Sequence, residues 1–212
     1  EDCDDANDVD GDGCLSNCRA ATAALCGGAC DLGGTLDQHL MPTELLRAPA
    51  QETTDFFGYA VDIDGDYAIV GAYYDGLFRA GSAHIFSWVD GTWQPTVKLV
   101  GSDVERTDEF GKTVAISRDI AVVGAHGSMR VNGPDGAVYI FERQGEQWIE
   151  TGKLMPSESS CFGTTVAIDG ETIVVGSDCD NRIEIFTRID GQWRIEATFE
   201  DDERRVKEFG RS

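Results

Sequence analysis

The sequence predicts an all-β protein built from repeated four-stranded antiparallel units, the blades of a β-propeller. Three observations predict it. A Phe-Gly pair recurs about every fifty residues, the same order of apolar runs follows each pair, and a tryptophan stands at a fixed place near the end of each repeat.

The pairs are Phe57-Gly58, Phe110-Gly111, Phe162-Gly163 and Phe209-Gly210, spaced by 53, 52 and 47 residues. Behind each of the first three comes an alternating run: Val61 and Ile63, Val114 and Ile116, Val166 and Ile168. Period two places one face of a strand on the core. Tight turns follow at Asp64-Gly65-Asp66, Ser117-Arg118-Asp119 and Asp169-Gly170-Glu171. The second run is continuous and ends in glycine: Ile69-Val70-Gly71, Val122-Val123-Gly124, Val174-Val175-Gly176. Consecutive apolar residues imply a strand buried on both faces, as sheets stacked face to face require. A third strand is expected to end at Phe86, Phe141 and Phe186, and seven residues later Trp93, Trp148 and Trp193 open a fourth.

The Phe-Gly pairs, with Gly71-Ala72 and Gly124-Ala125, resemble the FG-GAP repeats of integrin α-subunit propellers and of many bacterial surface proteins. The third repeat departs with Gly176-Ser177, and no repeat carries the proline of the family name. The resemblance spans residues 36–212 and implies a seven-bladed ring. Glu44-Leu45-Leu46-Arg47 occupies the place that Lys98-Leu99 holds before the second repeat, so it is expected to be an entering outer strand. Three blades cannot close a ring of four to eight; further blades are expected beyond this sequence. The expected organisation is a cysteine-rich module at 1–32, a linker and entering strand at 33–50, and blades over 51–212. Those blades fall at about 54–100, 107–155 and 159–200, with a fourth beginning at 206.

The 212 residues carry 17 basic and 39 acidic side chains, a formal charge of −22. That field repels phosphate backbones and anionic headgroups, which argues against nucleic acid and membrane-surface partners. No run approaches the ~18 apolar residues of a membrane span. Five of seven cysteines, Cys3, Cys14, Cys18, Cys26 and Cys30, crowd the first thirty residues. Disulfides in an extracellular compartment are expected, with zinc as the competing reading of the paired spacings and the odd count pointing to a free thiol or an upstream partner. Cys161 and Cys179 sit nine residues either side of Gly170, so a hairpin there makes them cross-strand partners in a disulfide. Two buried free thiols are the alternative. The equivalent places in the first repeat hold Phe56 and Tyr74, which suggests a packed aromatic pair.

Residues 1–32 resemble the short cysteine-rich repeats of secreted bacterial proteins that open on Cys-Asp-Asp-Gly-Asn, with Ala6 in place of glycine. Within them Asp8, Asp10 and Asp12 followed by Gly13 match the first half of an EF-hand calcium loop, but Arg19 stands where the bidentate glutamate belongs. Calcium there and a solvated acidic turn both remain open. Asp62, Asp64 and Asp66 raise the same question in a shorter turn, where backbone preference alone accounts for them.

No catalytic signature appears, and His39, His84 and His126 are scattered. His84 shares its strand position with Tyr139 and Glu184, and a solvent-facing or blade-edge place is expected for it, not a catalytic one. Function is expected in the loops that differ between repeats. Tyr73, Tyr74, Phe78 and Arg79 form an aromatic and arginine cluster suited to a protein or carbohydrate ligand, although Tyr73 or Tyr74 would serve equally as packing. The expectation is an extracellular, non-enzymatic binding or adhesion module of a larger secreted or surface protein. The alternative is the propeller of an extracellular hydrolase or lyase whose site lies elsewhere, and a purely structural spacer is a third.

Overall fold

A computed structural model describes residues 46, 55–76, 78–127, 136–156 and 161–201, all within one unit that spans Leu46–Ser212. The N-terminal cysteines, Asp8, Asp10, Asp12, the entering strand and Phe209-Gly210 lie outside the described residues.

Among the described residues, twelve strands form three four-stranded antiparallel sheets, the blades of a β-propeller. The first contains β1 (Val61–Asp64), β2 (Tyr67–Ala72), β3 (Ser82–Val89) and β4 (Thr92–Leu99). The second contains β5 (Thr113–Ser117), β6 (Ile120–Ala125), β7 (Ala137–Gln144) and β8 (Gln147–Leu154). The third contains β9 (Phe162–Asp169), β10 (Thr172–Ser177), β11 (Arg182–Ile189) and β12 (Gln192–Glu200). Each sheet is a simple meander, so every strand pairs with its neighbour in sequence. No described residue is helical.

The turns follow their residues. Asp64 faces Tyr67, Ser117 faces Ile120 and Asp169 faces Thr172 across two-residue loops. In each the first loop residue is left-handed, Gly65, Arg118 and Gly170 all near φ +55°. The third strands run three residues past the expected Phe86, Phe141 and Phe186, because the hairpin to the fourth strand closes beyond them. At that phenylalanine every blade carries the same β-bulge: register shifts between Ile85 and Phe86, Ile140 and Phe141, and Ile185 and Phe186. Thr96, Thr151 and Glu196 are thereby left without a partner in the ladder. Pro95 is tolerated because β4 is an edge strand.

Two apolar layers hold the blades together. Ile69, Ile85 and Leu99 meet Phe110, Val114, Val123 and Phe141 between the first and second blades. Val122, Val138, Ile140 and Leu154 meet Phe162, Ile173 and Phe186 between the second and third. The continuous runs of β6 are therefore buried on both sides, as predicted. The outward faces are different. Val61 is 67% exposed where its equivalent Val114 is 7% exposed, and Phe199 is 52% exposed where Leu154 is 6% exposed.

The repeated motif works between blades as much as within them. Each Phe-Gly phenylalanine packs edge-on against the phenylalanine of its own third strand: Phe57 on Phe86, Phe110 on Phe141, Phe162 on Phe186, at 6.0–6.1 Å. The following glycine lies near φ +90°, and Gly111 and Gly163 turn their carbonyls toward the preceding blade. A Cβ on Gly71 would stand 1.9 Å from the Gly111 oxygen, and one on Gly124 would stand 2.4 Å from the Gly163 oxygen. The Phe-Gly of one blade and the Gly-Ala of the blade before it thus require each other. Parallel bridges between Gly81 and Phe110, and between Gly136 and Phe162, extend the same contact. At the opposite end of the blades, the Asp62 and Asp64 carboxylates accept the Ile116 and Arg118 backbone N–H groups at 2.8 and 2.5 Å. Ser117 Oγ accepts the Gly170 N–H in the equivalent place. These acidic turn residues tie one blade to the next.

Candidate binding surface

One end of the blades is made from the loops joining second to third strands and from the connections that lead into each Phe-Gly. The residue before each Phe-Gly is left-handed: Phe56, Glu109 and Cys161, at φ 53–62°. What faces it differs in every blade. Phe56 packs on Tyr74 with ring centroids 4.8 Å apart, the aromatic pair expected there. Glu109 packs its stem against the Cα of Gly127, where an added Cβ would lie 2.6 Å from Glu109 Cγ. Cys161 is joined to Cys179 by a disulfide with Cα atoms 5.7 Å apart. The disulfide sits just past the ladder, beyond the bulge that pairs Ser177 with Phe162, and so it closes the open end of the hairpin. One backbone geometry is thus fastened in three ways.

Tyr73 is buried, in contact with Phe56, Tyr59 and Tyr74 at centroid distances of 4.5–5.4 Å. It holds the cluster together from beneath. Tyr74 is half-buried, while Phe78 and Arg79 are exposed and lie at φ 64° and 63°. The Arg79 guanidinium lies 4.3 Å above the Tyr74 ring. The chain at 78–80 runs beside the second blade's connection: Thr107 N–H donates to the Phe78 carbonyl, and Phe110 N–H to the Ala80 carbonyl, both at 3.0 Å. That pairing brings in Arg106, whose guanidinium sits 3.5 Å over the Phe78 ring. Beside it is an open cavity of about 520 Å³ lined by Phe78, Ala80, Val104, Glu105 and Arg106. Sequence reasoning missed Arg106 and Tyr59 as members of this surface and read Phe56 as the packing partner of Tyr74 alone. The repeat period pointed to them only indirectly, by setting the second Phe-Gly connection beside the first variable loop.

A second cavity, of about 760 Å³, runs along the innermost strands and is lined by Tyr59, Asp62, Lys112, His126, Thr164 and Asp178, among others. Lys112 Nζ donates to Glu109 Oε2 at 2.7 Å and lies 3.1 Å from His126 Nε2. Burial, then the Lys112 charge, hold the His126 imidazole below its usual pKa. An ammonium can only donate, so Nε2 accepts and the ring proton resides on Nδ1, which is buried without a hydrogen-bond partner among the described residues. Cys161, Asp178 and Cys179 cluster closely, but both sulfurs are spent in the disulfide and offer no thiolate to a metal.

His84 does not face solvent. It is buried, as are Tyr139 and Glu184 at the same third-strand position. Phe57 covers His84 and Phe110 covers Tyr139, at 5.5 and 5.3 Å. Each blade satisfies its buried polar group differently. Tyr139 Oη donates to Asp103 at 2.8 Å, and burial followed by that bond raises its pKa. Glu184 pairs with Arg182 at 3.2 Å. His84 Nε2 lies 3.2 Å from Ser82 Oγ. The hydroxyl of Ser82 itself donates to Asp75, which also receives Lys98 Nζ at 2.6 Å. Serine, histidine and aspartate therefore meet here without forming a relay. The carboxylate binds serine directly instead of orienting the far ring nitrogen, and Ser82 is fully buried.

No curated protein sequence matches this chain. A crystal structure of a protein from Lactobacillus plantarum is similar at 11% identity and a TM-score of 0.43, over 64% of this chain and 37% of that one. The FG-GAP repeat family matches at residues 43–86 and 93–141, the second match running from β4 into β7. The Phe-Gly and Gly-Ala contacts between the first two blades fall inside those matches, so this part of the chain is similar to FG-GAP repeats.

Proposed function

We propose that this chain is an extracellular binding or adhesion module of a larger secreted or surface protein, that it acts without catalysis, and that its ligand docks on the loop end of the first two blades. The observation that carries the reading is the exposed Phe78–Arg79 pair with Arg106 stacked on it, held between rigid blades by backbone pairing. Exposed aromatic and arginine side chains on a fixed support are what recognition surfaces concentrate. The FG-GAP repeats and the Cys161–Cys179 disulfide support the extracellular setting.

The test is surface plasmon resonance on the immobilised folded chain, with one panel of extracellular proteins and one of oligosaccharides. At least one saturable ligand is expected, and its binding should fall tenfold or more in the Tyr74→Ala/Phe78→Ala/Arg79→Ala variant. Saturable ligands that bind this variant unchanged would move the site elsewhere, and no saturable ligand in either panel would sink the reading.

A further inference from the structure

We infer that the loop end of the first two blades recognises a carboxylate beside an apolar side chain in an extended segment of another protein. The inference rests on reading that end as the binding face. The chain has 39 acidic and 17 basic residues, and six of the ten described lysines and arginines form an ion pair with a carboxylate. These are Lys98, Lys112, Arg143, Lys153, Arg182 and Arg188. Arg79 and Arg106 lie over aromatic rings and make no ion pair among the described residues. A guanidinium over a ring forms no ion pair with it and keeps N–H donors available, and their fork matches a carboxylate. The two are carried by adjoining strands of chain, since Thr107 N–H pairs with Phe78 and Glu109 N–H with Arg79.

The apolar half of the ligand is set by the cavity at Phe78, Ala80 and Val104. This cavity is open to solvent and wide enough for a large side chain. Glu105 on its wall disfavours a second anion inside, which leaves the ligand's carboxylate to the guanidiniums at the rim. A saccharide fits less well. Stacking sugars calls for flat, open ring faces, whereas Phe56, Tyr59, Tyr73 and Tyr74 meet at interplanar angles of 47–79° and Arg106 covers the Phe78 face. The net charge of −22 repels an acidic partner at long range, so selectivity comes from contact at these two arginines.

The experiment pans a phage library of random twelve-residue peptides against the folded chain, then titrates the selected peptides in synthetic form by fluorescence anisotropy, with oligogalacturonate as the acidic-saccharide arm. Selected peptides are expected to share Asp or Glu next to a large apolar residue. Changing that acid to its amide should weaken binding at least tenfold, as should Arg79→Gln or Arg106→Gln, with Arg79→Lys intermediate. Melting temperatures of these exposed-site variants check that the fold is intact. Peptides without carboxylates, unchanged affinity in both glutamine variants, or saturable binding of oligogalacturonate alone would overturn the inference. Peptide binding that survives the arginine changes but is lost in Phe78→Ala would remove the carboxylate and keep the binding face. No binding of either probe would remove both.

Discussion

Gly58 and Gly111 are the glycines of two successive Phe-Gly pairs, at φ +92° and +90°. Each donates its N–H to the glycine carbonyl of its own second strand, Gly71 or Gly124, at 3.0 Å. They differ in one respect. A Cβ on Gly58 would meet nothing within 4 Å, while one on Gly111 would stand 2.0 Å from the Ser82 carbonyl of the preceding blade. Alanine at either position takes on a left-handed strain of about 1–2 kcal/mol. At Gly111 it must also push two backbones apart by more than an ångström, and the layer containing Ile69, Phe110 and Val114 opens with them. Overpacking of this kind costs about 1–3 kcal/mol, and a backbone obstacle puts it at the upper end. For a protein of this size about 3 kcal/mol lowers Tm by roughly 6–12 °C. Differential scanning fluorimetry of Gly58→Ala and Gly111→Ala should therefore show a larger fall at Gly111, by about that amount. Equal falls would mean that the Phe-Gly glycine serves backbone conformation alone and that the contact between blades carries no energy.

Two further outcomes follow from the same coordinates. The Cys161–Cys179 bridge closes a loop of 18 residues, so Cys161→Ser/Cys179→Ser should cost about 3 kcal/mol and abolish the effect of a reductant on the melting of the described unit; an unchanged Tm would show that the bond contributes nothing there. Burial holds both His84 and His126 below the ordinary histidine pKa of about 6.5. The unfolded chain then binds more protons below pH 6.5, so their contribution is intact above it and lost as pH falls toward the folded values. The drop in Tm from pH 7.5 to pH 5.5 should shrink in His126→Gln, and a drop of the same size would refute the assignment.

Periodicity revealed what depends on local pattern. The alternating and continuous runs, the two-residue turns and the Phe56–Tyr74 and Cys161–Cys179 pairings all follow from residues close in sequence or placed symmetrically about a turn. Contacts between blades were harder to read, because they join residues about fifty positions apart with no pairing rule to predict them. That is why Asp62 and Asp64 looked like turn residues and proved to be hydrogen-bond acceptors for the next blade. It is also why His84, Tyr139 and Glu184 looked solvent-facing. Three dissimilar polar residues at one position suggested a surface, whereas all three are buried, His84 and Tyr139 against a Phe-Gly ring, and each finds its own partner. Arg106 was missed for the same reason, since only the pairing of Thr107 with Phe78 sets it over an aromatic ring.

The two ends of the blades obey different rules, and the difference bears on function. At the short-turn end the solutions repeat: a side-chain oxygen on the last residue of the first strand, Asp64 or Ser117, accepts the N–H of Arg118 or Gly170 in the next turn. At the loop end the backbone repeats but the chemistry does not. Phe56, Glu109 and Cys161 share one left-handed conformation, yet they are fastened by an aromatic pair, a glutamate stem over glycine, and a disulfide. If packing alone governed that end, one fastening would serve all three blades as one latch serves the turns. Each fastening instead leaves different groups facing outward, and among the described residues the aromatic one sets Arg79 over Tyr74, beside Arg106, as a cationic rim. The variation at the loop end is therefore tied to what each blade presents, and the first blade presents a site for an anion.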